Sequence, residues 1–214
     1  MPIPVAAATT LHRDEGLLRW LWRCLPWPRL GLAAWRCGLL FALFGAGLAG
    51  RCEAQSAETL EYRVKAAFLC KFAGYVDWPP EVFARPDSPI VIGVIASAAV
   101  VDELTRTAAG LSAGGRPLIV RHLQRGEPIE GSQVLYIAGL QEDRIAEAIA
   151  ATKAQPVLVV TESSRAVPPG SVINFVVVDS KVRFDVAPAA AEARGLRISA
   201  RLLSVARSLI GKSS

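Results

Sequence analysis

Beyond residue 54 the chain holds one histidine, His122, and one cysteine, Cys70. That scarcity excludes a metal site built on imidazoles, and a lone Cys and a lone His far apart in sequence make a poor ligand set. A Ser-His-Asp arrangement would have to use His122, and the one Gly-x-Ser-x-Gly beyond residue 54, Gly110 to Gly114, precedes a strand instead of opening a helix, so it is no elbow that presents a nucleophile. No Gly-x-Gly-x-x-Gly follows the first expected strand, and no phosphate loop ending in Lys-Ser/Thr occurs. The glycines between Gly110 and Gly115 precede a strand instead of opening a helix, so they read as a turn. The expectation is no catalytic residues, no metal, no cofactor and no enzyme. An enzyme would have to rely on His122 or Cys70.

The residues best suited to recognition lie near the C-terminus. Two β-branched runs, Val172 to Val178 and Lys181 to Val186, are separated only by Asp179-Ser180, the mark of an antiparallel hairpin. A two-residue loop pairs Val178 with Lys181, Val176 with Arg183, Phe175 with Phe184 and Asn174 with Asp185. One face is then apolar (Ile173, Phe175, Val177, Val182, Phe184, Val186), and the other gathers Asn174, Arg183 and Asp185. Taken alone, these three read as an ordinary surface Arg–Asp pair worth under about 1 kcal/mol; the alternative is a polar recognition patch. On that alternative, Asp185→Arg is expected to weaken partner binding and leave the fold intact. Trp78, at a helix exit before two prolines, either caps the core or anchors a partner, a role in which Trp is enriched. Lys71 falls within the apolar stripe of the first helix, where its stem can snorkel.

The elements that must carry these residues alternate. Residues 58–74 place Leu60, Val64, Ala67, Phe68 and Phe72 at helical spacing. The run Ile90 to Ile95 has no polar alternation and reads as a strand buried on both faces. A helix over 98–109, strands Pro117 to Leu123 and Gln133 to Ala138, a helix over 141–153 and a strand Pro156 to Thr161 follow. The hairpin, a short helix near Pro188 to Arg194 and a last helix from Ser199 to Ile210 complete the pattern. The expected fold class is α/β: a single domain with a mostly parallel central sheet flanked by helices and a C-terminal antiparallel hairpin.

The first 54 residues are read separately. Gly38 to Ala49 is an unbroken apolar or glycine stretch of twelve residues, short of the roughly twenty a spanning helix needs. Arg29 and Arg36 precede it, and Cys52-Glu53-Ala54 supplies a cleavage site before Gln55, so residues 1–54 read as a secretion leader and 55–214 as the working domain. No membrane span is expected in the mature protein. Of the chain's 24 basic and 19 acidic residues the leader holds six and three, leaving a nearly neutral domain without a nucleic-acid footprint. Three of the four cysteines also fall in the leader, so the mature domain has no internal disulfide.

The segment Tyr62-Arg-Val-Lys-Ala-Ala-Phe-Leu-Cys-Lys-Phe-Ala-Gly-Tyr-Val-Asp-Trp-Pro79 resembles the opening signature of the YfiR-like periplasmic proteins. Ile173 to Asp179, Val182 to Val186 and Gly195 to Leu203 resemble their closing motifs. The resemblance covers about residues 58–210. It implies a periplasmic, non-enzymatic regulator that binds the sensory part of an inner-membrane diguanylate cyclase, or another membrane sensor, and represses it in cyclic-di-GMP and biofilm control. It further implies an outer-membrane lipoprotein as a second partner, and homodimers occur in the family. Asp185 stands where the family has an exposed acid implicated in partner contact, and Trp78 stands in its aromatic-Trp-Pro position. With Asn174 and Arg183 these form the expected partner-binding set. The competing expectation is a small-ligand-binding module feeding a membrane sensor, with its crevice at strand C-terminal ends.

Overall fold

In the computed structural model, residues 58–124, 126–152 and 155–211 are described, and the expected leader lies outside them. The unbroken apolar run Ile90–Ile95 forms β2, an interior strand of an eight-stranded sheet. Beside it lie β4 (Arg116–His122) and β5 (Val134–Ile137), followed outward by β6 (Leu158–Glu162) and β7 (Ile173–Val178), all parallel. β8 (Lys181–Val186) returns antiparallel to β7, and β10 (Ser208–Leu209) and β3 (Ser112–Ala113) close the two edges. A separate pair joins β1 (Val76–Asp77) to β9 (Arg197–Ile198). The sheet is mixed but mostly parallel and flanked by helices, the expected α/β architecture with its C-terminal hairpin.

Alternation along β5 and β6 shows why Val134–Ile137 and Leu158–Val160 are apolar throughout. Val134, Tyr136, Leu158 and Val160 join the core beneath the helix over 58–73 (α1) and the helix Ala98–Ala108 (α2). Leu135, Ile137, Val157 and Val159 meet Ile145 and Ile149 of the helix Glu142–Ala151 (α3) on the other face. Both faces are covered, so both sets of side chains must be apolar.

Two expectations are corrected. In α1 the buried face is Ala66, Leu69, Cys70, Phe72 and Ala73, whereas Leu60 is 59% exposed and Lys71 lies outside the core. The apolar residues of this helix cover more than one face, and the sheet takes the face whose small side chains allow close approach. The lysine that is buried is Lys65, neutralised by Glu61 at 2.5 Å and Glu162 at 2.9 Å. The last helix is likewise shorter than expected. Pro188–Glu192 forms α4, and α5 runs only Ala200–Val205, with Ser199 Oγ accepting the Leu202 N–H. Beyond it Arg207 N–H donates to Phe184 O at 2.8 Å and Ile210 N–H to Val186 O at 2.7 Å. The outward carbonyls of β8 satisfy this segment as an edge strand, and further helical turns are not formed.

Between β4 and β5 the chain passes back over β2. Arg121 Nη2 holds the crossing by donating to Pro128 O, Glu130 O and Ser132 Oγ at 3.0–3.1 Å. Directly beneath is Gly93, where an added Cβ would lie 2.8 Å from both Leu123 Cδ1 and Ser132 Oγ. Gly93→Ala is therefore expected to cost about 1–3 kcal/mol as overpacking, read as a lowered urea midpoint. An unchanged midpoint would show that the crossing segment gives way freely.

Candidate functional site on the outer face of the hairpin

The hairpin forms in the expected register, with all six pairs from Ile173↔Val186 to Val178↔Lys181. Its loop residues have positive φ, +50° at Asp179 and +57° at Ser180, the backbone of a type I′ turn. Phe175 and Phe184 pack against Phe68 and Phe72 of α1, with centroids 4.9–6.2 Å apart. Period-two alternation then turns Asn174, Val176, Arg183 and Asp185 to the opposite face of the sheet.

These polar residues have different surroundings. Asn174 is 1% exposed. Its Oδ1 accepts from Thr161 Oγ1 and Ser163 N–H, and its Nδ2 donates to Ser163 O, all at 2.9 Å. Asp185 is 2% exposed, and Arg207 grips it through Nε at 2.8 Å and Nη2 at 2.5 Å, with Ser208 Oγ donating at 2.8 Å. Burial alone would raise the Asp185 carboxyl. Hydrogen bonds from Arg207 and Ser208, with the arginine's charge, outweigh it and hold the group below its ordinary value. Arg183 is exposed, with no ion-pair partner among the described residues.

The two buried groups hold the walls of a groove of about 280 Å³. Asn174 fixes the start of the loop 163–167 on one side. Asp185 fixes Arg207, whose side chain is 45% exposed, on the other. Asp185 is thus not itself on the surface; it positions a guanidinium that is. Sequence reading had no signal for the Arg207 contact, because it placed residue 207 inside a helix.

Trp78 lies elsewhere. It is half-buried against the core on the α1 side and meets the Phe83 ring edge-on at 6.4 Å. The Arg116 guanidinium covers Phe83 at 3.8 Å and donates to Arg85 O and Ser88 O. Asn174, Arg183 and Asp185 are gathered on the other face of the sheet, and Trp78 is not brought to them.

A second polar cluster went unrecognised in the sequence. Lys65 links α1 to Glu162 at the end of β6, and Tyr136 donates to the other Glu162 oxygen. Only the i,i+4 spacing of Glu61 and Lys65 hinted at it. The charges in this cluster are paired internally, and it acts as a latch. Cys70 is buried, and burial pushes its thiol up to about 11, which leaves it protonated and unreactive near neutrality. His122 is exposed, its Nδ1 3.4 Å from Gln124 Nε2. Among the described residues no group of three or more His, Cys, Asp or Glu could hold a metal, and no helix is long and apolar enough to cross a membrane.

Because the folded Asp185 carboxyl lies below its unfolded value, its stabilisation is present above the ordinary carboxylate pKa and is lost as pH falls through the folded one. Asp185→Asn should cost about 1–2 kcal/mol at pH 7. It should also flatten the acid limb of urea midpoint against pH below about 4. An acid limb identical to wild type would mean the carboxylate is not the titrating group. Asp185→Arg, expected from sequence to spare the fold, instead sets two guanidinium groups together in a buried place and should unfold the hairpin edge.

A family model described as YfiR/HmsC-like matches residues 62–207. No curated protein matches the chain. The match spans well over half of the sequence and contains α1 from Tyr62 onward, the whole sheet up to the start of β10, and both arms of the hairpin. The chain belongs to the YfiR/HmsC-like family of periplasmic, non-catalytic regulators of cyclic-di-GMP signalling.

Proposed function

We propose that residues 1–54 are a secretion leader, and that the working domain binds the periplasmic sensory part of an inner-membrane diguanylate cyclase and holds the cyclase inactive. The observation that carries this reading is the hairpin's outer face. There a buried carboxylate and a buried amide hold the walls of a groove lined by the part-exposed Arg207, and Arg183 stands exposed on the same face of the hairpin. Such preorganised cations on a rigid strand suit contact with another protein. Arg183 and Arg207 make the contact; Asp185 and Asn174 position it. Trp78 belongs to a separate surface with Phe83 and Arg116, suited to a second partner such as an outer-membrane lipoprotein or a second copy.

A small-ligand reading is favoured by one feature. An apolar cleft of about 480 Å³ lies between residues 126–130 and α3, beside Ile95 and Leu140. It sits at the C-terminal ends of β2 and β5, where α2 and α3 leave for opposite faces of the sheet.

Deleting the gene is expected to raise cellular cyclic-di-GMP and biofilm while the cognate cyclase gene is intact, and Arg183→Glu should reproduce part of that rise without lowering the melting temperature. Unchanged cyclic-di-GMP on deletion would remove the repressor reading. A ligand-dependent rise in melting temperature that is abolished by filling the cleft, with Ala148→Trp, would favour the small-ligand reading instead.

A further inference from the structure

The hairpin's outer edge is only half covered. β10 pairs with Asp185 and Val186, and Arg207 N–H reaches Phe184 O. Above that point no strand pairs with Lys181, Val182 or Arg183 on the side away from β7 among the described residues. In a hairpin closed by a two-residue turn, Val178 and Lys181 form a hydrogen-bonded pair, so the next pair, Val177 and Val182, does not. Val182 therefore directs its N–H and C=O away from β7, where neither has a backbone partner among the described residues. An uncovered edge of this kind is a template for another strand.

Charge decides what fits. Lys181 and Arg183 flank Val182 on the groove side, both exposed, with no ion-pair partner among the described residues. Two copies of β8 pairing antiparallel about Val182 would set Lys181 of each copy opposite Arg183 of the other, and like charges directly opposite are unfavourable. The edge therefore rejects a second copy. A strand with acids at alternate positions would place one carboxylate opposite each cation. Its intervening residue would face the other side of the hairpin, where Val177 is 50% exposed, and should be apolar. We infer that the β8 edge binds an extended acid–apolar–acid segment of the partner protein by strand addition, with Lys181 and Arg183 selecting its acids. This rests on the protein-binding reading above and names the chemistry of the partner's contact.

The test uses the full gene product purified from the periplasm and a blocked, labelled peptide, acetyl-Thr-Val-Glu-Val-Glu-Val-Thr-amide. A twin carrying Lys in place of both Glu is the control, and binding is read by fluorescence anisotropy. The acidic peptide should bind about tenfold more tightly than its twin. Val182→Pro removes the outward N–H, which has no acceptor among the described residues, and should abolish binding. Lys181→Glu with Arg183→Glu should invert the preference; these exposed positions carry the decision if Val182→Pro fails to fold. Equal binding of the two peptides, binding of neither, or full binding by folded Val182→Pro protein would overturn the inference. So would a concentration-dependent dimer in sedimentation that Val182→Pro abolishes. The peptide assay reads the edge alone, so its failure leaves the deletion phenotype, and with it the regulator reading, separately decidable.

Discussion

The interlock of four phenylalanine rings, Phe68 and Phe72 from α1 with Phe175 and Phe184 from the hairpin, is the contact on which the arrangement of this molecule depends. Aromatic pairs of this geometry contribute about 0.5–1.5 kcal/mol each beyond the area they bury. Their larger consequence is orientation. With Phe175 and Phe184 turned to α1, the strand pleat leaves Asn174, Arg183 and Asp185 no choice but the other face. Tyr136 extends the interlock, meeting Phe175 edge-on from β5.

On that other face, buried polar groups hold up exposed ones. An uncompensated carboxylate at the depth of Asp185 would be costly, and it is tolerated because two arginine nitrogens and a serine hydroxyl donate to it. The same bonds fasten β10, a strand of two residues that would otherwise have little to hold it. Asn174 does the equivalent for the loop after β6 by bonding both the N–H and the C=O of Ser163. The cations that reach solvent are thus carried on a backbone fixed from beneath. Less entropy is then lost on contact, which is the usual advantage of a preorganised surface.

The groups with nucleophilic or acid–base capacity are disposed otherwise. Cys70 is sealed in the core, and Lys65, Glu162 and Tyr136 satisfy one another where β6 ends. A parallel sheet commonly offers its C-terminal ends to substrates. Here the part of that rim at the end of β6 is occupied by a latch holding α1 in place, and the apolar cleft beside α3 lies at the ends of β2 and β5. The recognition chemistry is found instead on the antiparallel hairpin appended to the sheet.

Much of this was legible in the sequence. The hairpin register followed from a two-residue loop between β-branched runs, and the double burial of β2 followed from its lack of polar alternation. Both are properties of period and local turn geometry. The face of α1 that meets the sheet was not legible, because Leu60, Val64 and Phe68 compete with Leu69, Phe72 and the small residues between them, and only the shape of the opposing strands selects. Nor was the end of the last helix, where local propensity allows helix through Ile210 but the outward carbonyls of β8 claim the backbone. The sequence by itself determined the α/β class, the hairpin and the set of residues on its polar face. Tertiary structure alone decided that Asp185 is buried, that Arg207 is its partner and that Trp78 stands apart, because each depends on contacts between segments distant along the chain.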